Sequence, residues 1–408
     1  MRILLLVVYY LPSTMSSAKL MHDLAVEFRR QGHEPVVMAP DENIGSDCEV
    51  SVEHDIEVVR IRTGRIKSAS RALRAINEIR LSGTLWARGK EYLDRKGGID
   101  LVVYYSPTIF FGGLVARLRS TYGCSSYLVL RDIFPKWALD AGVMKEGLIY
   151  RYFRRKEIEQ YDAADVIGVQ SPANLSYFME DPVLRARRVE VLYNWTALQE
   201  KGIPVSHYRD QLGLKGKVVF FYGGNIGVAQ DVDNMVRLAQ DLRNEERAHF
   251  LFVGDGSESG RLRSMISGLG LANMTVHGAV AQDEYLAMLS EFDVGLISLD
   301  RRLRTQNFPG KMLGYMYHSL PILASINPGN DLREILERHG AGLVSVNGED
   351  KVLRDNAIRL LRDEGLRRRM GLNARRLLDE TFSVEAAAGQ ILSHFSGHGS
   401  GTERCFIG

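Results

Sequence analysis

Thirteen short runs of aliphatic and β-branched residues, separated by amphipathic stretches, recur along almost the whole of this 408-residue chain. Runs of that kind are apolar throughout rather than alternating, as strands of a parallel sheet covered on both faces must be. In the first half they are Ile3–Tyr9, Pro35–Met38, Glu57–Ile61, Leu101–Tyr105, Tyr127–Leu130, Val166–Val169 and Val189–Leu192. A helix is expected over 17–31, with Leu20, Leu24 and Phe28 on one face and Gly32 as its stop. The pattern restarts at Val218–Tyr222 and continues through Phe250–Val253, Met274–Val276, Val294–Ile297, Ile322–Ala324 and Gly342–Val344. Strand and helix alternating twice over predicts an α/β protein of two doubly wound, Rossmann-like domains. The expected division is 1–195, a linker at 196–216 without a clear period, and 217–381. A last helix over 382–396 is expected to cross back to the first domain, and the Gly/Ser-rich tail 397–408 reads as flexible.

The length agrees, since one core rarely serves this many residues. A net charge of +2 gives no reason to expect a nucleic-acid partner. Cys48, Cys124 and Cys405 lack metal-site or paired spacing, which suggests a reducing, cytoplasmic compartment. The apolar Ile3–Tyr10 is too short to span a bilayer and lacks the cleavage site of a secretory signal, so membrane contact is expected to be peripheral.

Two glycine-rich turns follow strands in the second half. Gly223-Gly224-Asn225-Ile226-Gly227 precedes a helix expected near Gln230, and Gly254-Asp255-Gly256 repeats the arrangement one unit later. Each reads either as a tight strand–helix turn or as a phosphate cradle, where glycine lets a ligand approach the backbone and helix-end amides meet its charge. The second occurrence favours the cradle. Neither turn matches GxxxxGK[ST], which disfavours a P-loop ATPase, and the first strand lacks a dinucleotide fingerprint. Thr305-Gln306-Asn307-Phe308-Pro309-Gly310-Lys311 then leads into a helix of about 310–318. Pro309 leaves the next amides available and Lys311 adds a cation, together a diphosphate site or else a solvated first turn. Arg301, Arg302 and Arg304 stand in the same loop, either as assistants or as plain surface.

In their order and spacing these pieces resemble the family-4 retaining glycosyltransferases of the GT-B fold. Met1–Pro12, Leu24–Val37, Ala164–Ser171, Tyr222–Gly227, Val253–Gly256, Phe308–Lys311 and Ser319–Ile322 with Gly329 carry the likeness. Tyr9–Pro12, Arg131–Pro135, Tyr193–Trp195 and Thr305–Lys311 are similar to bacterial N-acetyl-L-fucosamine transferases of O-antigen and capsule pathways. The resemblance implies two domains facing across a cleft, with Gly224, Asn225, Gly227 and Lys311 on a donor diphosphate. Thr305, Gln306, Asn307, Pro309 and Gly310 would border the donor, and Gly254, Gly256 and Glu284 its nucleoside. Two glutamates that the wider family carries are replaced by Gln306 and Gly314, and the basic residue after the glycine turn by Val228-Ala229-Gln230. The first loop has Ser17-Ala18 where the family has Gly-Gly.

Asp132, after the Tyr127–Leu130 strand, is the candidate base or charge stabiliser beside Arg131, or else a turn cap. Ser16, Ser17, Lys19, His22 and Arg131 are acceptor candidates. Residues 60–96 hold eleven Lys/Arg against three Asp/Glu, with Leu73, Ile76, Ile79, Leu81, Leu85, Trp86, Tyr92 and Leu93 interleaved. That stretch reads as a surface for anionic lipid, with Arg71, Arg74 and Arg80 in contact, or as amphipathic helices whose apolar side is core. The expected activity is retaining transfer of a sugar from a UDP-sugar, without cofactor or metal, to a polyprenyl-diphosphate-linked saccharide at the inner face of the cytoplasmic membrane. A GT-B-fold nucleotide-sugar epimerase and a non-catalytic assembly scaffold are the alternatives.

Overall fold

A computed structural model describes residues 1–13, 15–64, 71–140, 142–197, 207–303 and 308–395, apart from the side chains of 71–76, 140, 282 and 283. The chain divides into one unit of Met1–Ala197 with everything from Val384 onward, and a second of Leu198–Ser383. Each is a Rossmann-like α/β unit built on a largely parallel sheet.

The first unit carries β1 (Arg2–Leu6), β2 (Glu34–Asp41), β3 (Cys48–Glu53), β4 (Ile56–Arg62), β5 (Leu101–Tyr105), β6 (Ser125–Leu130), β7 (Val166–Val169) and β8 (Val189–Val191). Their order across the sheet is β3-β4-β2-β1-β5-β6-β7-β8. Successive residues of one strand enter opposite cores. Leu4, Leu6, Val102, Tyr104, Leu128 and Leu130 face one side, while Ile3, Leu5, Leu101, Val103, Tyr127 and Val129 face the other. Burial on both faces explains the unbroken apolar runs. Helix Ser16–Arg30 covers the second face with Met21, Leu24 and Phe28. Val384–Ser393 lies beside it, contributing Val384, Ala387, Ala388, Ile391 and Leu392.

The second unit carries β9 (Val218–Gly223), β10 (Ala248–Val253), β11 (Met274–His277), β12 (Val294–Ser298), β13 (Ile322–Ile326) and β14 (Gly342–Val346), all parallel. Their order is β11-β10-β9-β12-β13-β14. Chain direction across the sheet reverses between β9 and β12, so the crevice beyond their carboxyl ends is where such a sheet receives ligands.

Several local expectations change. The first strand ends at Leu6 rather than Tyr9, and β3, an antiparallel edge strand with mostly exposed residues, carries no apolar run to announce it. Tyr208–Gln211, expected in the linker, is a helical turn held in the second unit. Arg209 pairs there with Asp293 at 2.9 Å, and the Tyr208 and Arg209 amides donate to Glu291. The membrane reading of 60–96 is corrected for most of its described apolar residues, while Ile79 remains exposed. Leu81, Leu85, Tyr92 and Leu93 on helix Arg71–Arg95 are buried core, so they are not available to lipid. Arg71, Leu73, Arg74 and Ile76 have side chains outside the described residues.

Candidate functional site

The first glycine turn leaves β9 beside the switch point. Gly224 takes a positive φ of 108°, and its N–H donates to Val253 at 2.9 Å. Ile226 donates to Asp255 and Glu258 to Ile226, each at 2.9 Å, so the two glycine turns are laced backbone to backbone. This changes the meaning of the second turn. A Cβ on Gly254 would lie 2.0 Å from the Gly224 carbonyl oxygen, and one on Gly256 would lie 2.3 Å from that of Ile226. Glycine is required at both positions by the neighbouring loop, with no ligand needed to explain it.

Most amides of the first turn already have acceptors. Gly223 donates to the Tyr315 hydroxyl at 3.1 Å and Gly227 to Gln230 Oε1 at 3.1 Å. Asn225 Nδ2 also donates to Gln230, at 3.4 Å. Among the described residues the Asn225 N–H is the one amide of Gly223–Gly227 left without an acceptor. The helix expected near Gln230 begins instead at Val232, after a turn of 3-10 helix at Val228–Gln230. Asp231 stands at its start with a positive φ of 41°, and its carboxylate accepts from Asn347 Nδ2 at 2.8 Å instead of capping the helix.

Lys311 opens the seven-residue helix Lys311–Tyr317, which follows β12. Met312 and Leu313 donate back to Pro309 and Gly310. The lysine reaches across to the first turn: Nζ lies 3.3 Å from the centre of the Tyr222 ring, and Cε is 3.9 Å from where a Gly224 Cβ would stand. The Tyr222 hydroxyl in turn donates to the Asn225 carbonyl at 2.6 Å, fastening ring, turn and lysine into one assembly. Among the described residues the ammonium makes no ion pair. Part of the side chain reaches solvent, yet packed protein around the ammonium pushes its pKa down to about 7. The aromatic face, which favours the charged form, works against that shift.

Tyr285 closes the floor of the site. A Cβ on Gly223 would meet its ring at 2.3 Å, and one on Gly314 would come within 3.3 Å of Leu289 and 3.8 Å of Tyr285. A side chain at 314 would therefore press on Leu289 and pack against this ring. Glu284, one residue earlier on helix Gln282–Leu289, is hydrogen-bonded to the Tyr208 hydroxyl. Of the loop arginines, Arg302 is paired with Asp300 and Arg301 lies beside Gly348. Arg304, Thr305, Gln306 and Asn307 lie outside the described residues.

On the first unit, Asp132 follows β6. The Arg131 and Asp132 amides both donate to the buried Ser106 hydroxyl, at 2.8 and 3.3 Å, which fixes the start of the loop. The Asp132 carboxylate is exposed and caps nothing among the described residues. Surrounding protein pushes its pKa up, and the Arg131 charge opposes this. Arg131 itself is a pin. Its guanidinium donates to the Leu130, Gly168 and Tyr193 carbonyls at 3.1 to 3.4 Å and lies 5.5 Å from the Trp195 ring centre.

The acceptor candidates separate. Ser16 is exposed, Ser17 is half-buried, and Lys19 pairs with Asp23 at 2.7 Å. His22 bonds the Tyr10 hydroxyl at 2.7 Å, and burial holds its pKa below the usual histidine value. None of these four lines the cleft of about 210 Å³ at the carboxyl ends of β1, β2 and β4, which is bordered by Tyr10, Pro12, Ser13, Asp41, Asn43 and Arg60. Asp41, which ends β2, escaped notice in the sequence, although a charged residue closing an apolar strand was the available signal, and Arg60 entered only as part of the basic stretch 60–96. Among the described residues no three His, Cys, Asp or Glu side chains are gathered as a metal ion would need.

Residues 205–377 match the family model described as glycosyl transferases group 1, and residues 17–195 match the glycosyl transferase 4-like domain. The probable glycosyltransferase WbjE of Pseudomonas aeruginosa is 29% identical over 55% of this chain and 57% of its own length. The putative colanic acid biosynthesis glycosyl transferase WcaI of Escherichia coli K12 is 26% identical over 52% of this chain and 54% of its own. The chain thus spans little more than half the length of these two relatives. The solved structure of HepE from Anabaena in complex with UDP superposes with a TM-score of 0.65 at 16% identity, covering 97% of this chain and 100% of that one.

Proposed function

The two units are glycosyltransferase domains of the GT-B fold, and on that premise we propose that this chain transfers a sugar from a UDP-sugar, with retention, onto a lipid-diphosphate-linked saccharide in bacterial surface-polysaccharide synthesis. One observation carries the donor half of this reading: an ammonium without an ion pair among the described residues, held over the Tyr222 ring beside the open Gly224 turn at the sheet's switch point. A diphosphate seated there would meet Lys311 Nζ and the Asn225 N–H. As the bond to the sugar breaks, negative charge grows on the leaving phosphate, and a cation already in place stabilises that charge most. The leaving phosphate can itself take the acceptor proton, so no strong base is required. Asp132, with its raised pKa and unbonded carboxylate, is the proposed further proton acceptor on the first unit.

UDP in the HepE complex and colanic acid biosynthesis in the WcaI name support donor and pathway by analogy. N-acetyl-L-fucosamine is the proposed sugar, and metal-independence is part of the proposal. The test is a panel of UDP-sugars, each with and without a synthetic polyprenyl-diphosphate saccharide. Sugar transfer that requires both substrates supports the reading. A converted nucleotide sugar without acceptor would mean an epimerase, and absence of UDP binding by calorimetry would mean a scaffold.

A further inference from the structure

Large exposed apolar side chains concentrate in one short part of the first unit. Val143 is 75% exposed, Leu148 82%, Ile149 68%, Trp137 49% and Tyr152 36%. They belong together in space. Trp137 stacks near Phe134 (6.0 Å between ring centres), Phe134 near Phe153 (5.1 Å) and Phe153 near Tyr152 (5.4 Å). This row of rings roots the exposed pair in the fold. Leu148 stands one helical turn before Tyr152 on helix Leu148–Asp162, and Ile149 one turn before Phe153. The Met144 amide donates to Ala138 at 2.9 Å, tying the Val143 loop to the Trp137 helix, Lys136–Asp140.

Charge completes the pattern. Residues 134–156 hold six Lys/Arg against two Asp/Glu. Lys145, Arg151 and Arg155 are exposed and make no ion pair among the described residues. Aliphatic side chains at a helix start, Trp and Tyr at their margin and unpaired cations around them are the arrangement that lies in a lipid headgroup layer. No helix among the described residues is long and apolar enough to cross a membrane, so contact here is by surface.

We propose that the prominence formed by Trp137, Val143, Leu148, Ile149 and Tyr152 is the surface on which this chain docks to an anionic phospholipid bilayer. Leu148 and Ile149 enter the acyl boundary, the aromatic pair lies at headgroup level, and Lys145, Arg151 and Arg155 meet lipid phosphates. The inference rests on the lipid-linked acceptor reading for its purpose, since such an acceptor must be reached at a bilayer. It moves the contact away from helix Arg71–Arg95.

The test is co-sedimentation of the full chain with vesicles of phosphatidylglycerol and phosphatidylethanolamine, and with vesicles of phosphatidylcholine alone, both free of acceptor. Wild type is expected to bind the anionic vesicles, more weakly as salt rises. Leu148→Ser with Ile149→Ser is expected to weaken binding by at least about tenfold, given the apolar area each side chain would bury. Arg151→Glu with Arg155→Glu should remove the preference for anionic lipid, while Arg80→Glu with Arg95→Glu should change neither. UDP calorimetry on each variant shows that it is folded and tests the donor reading separately. Wild type that binds neither vesicle, or a Ser/Ser variant that binds like wild type, overturns the proposal. Capture by a membrane protein without vesicle binding overturns it equally, in favour of a protein partner.

Discussion

Lys311 should make UDP binding depend on pH in a way few surface lysines can. In the free protein its pKa is pushed down to about 7, against about 10.4 for an ordinary lysine. Near and above neutral pH the free lysine therefore gives up its proton far more readily than an ordinary one. A bound diphosphate stabilises the charged form and raises the pKa again. Binding then weakens as pH rises above 7, because the lysine must take up a proton to hold the diphosphate. The limit is about tenfold, or about 1.4 kcal/mol, per pH unit above 7. UDP's own second phosphate ionisation, near about pH 6, is complete in that range and does not contribute. Calorimetry from pH 7 to 9, in buffers of different ionisation enthalpy, should show proton uptake approaching one per UDP at the upper end. Lys311→Met should bind UDP weakly, with no pH dependence and no proton uptake. A flat wild-type affinity over this range, or an equal slope in Lys311→Met, would refute the reasoning.

Three further outcomes follow from the same geometry. Gly254→Ala places a methyl 2.0 Å from the Gly224 carbonyl oxygen at a φ of 150°, and should cost about 2 kcal/mol or more of stability by denaturant titration, together with UDP affinity. Tyr222→Phe removes the 2.6 Å bond to Asn225 but keeps the ring under Lys311. It should cost about 1 kcal/mol of stability and little UDP affinity, whereas Tyr222→Leu should reduce UDP affinity as well. Asp132→Asn should lower kcat by about 10²-fold or more with UDP affinity unchanged, as loss of a proton acceptor does; an unchanged kcat would remove Asp132 from the reaction.

The sheets were legible because their strands are apolar on both faces. Leu101–Tyr105 and Val166–Val169 needed no correction. The edge strand Cys48–Glu53 was not legible, since its exposed residues follow no apolar pattern. Glycine spacing located the turns at 223–227 and 254–256 but could not tell a ligand from a second loop as the reason for Gly254 and Gly256. That distinction lies in the backbone contact to Gly224 and Ile226. The Tyr222–Lys311 contact joins residues 89 positions apart (from 222 to 311) and leaves no local trace. Residues 60–96 show the converse difficulty. Charge and apolar residues can be counted along a line, but only packing tells that Leu81 and Leu85 are core while Leu148 and Ile149 are not.

A structure of this chain with UDP bound is the most direct measurement. The β-phosphate should sit within hydrogen-bonding distance of Lys311 Nζ, over Gly224, and accept from the Asn225 amide. UDP bound elsewhere, with Lys311 still lying on the Tyr222 ring, would contradict the assignment of the donor site.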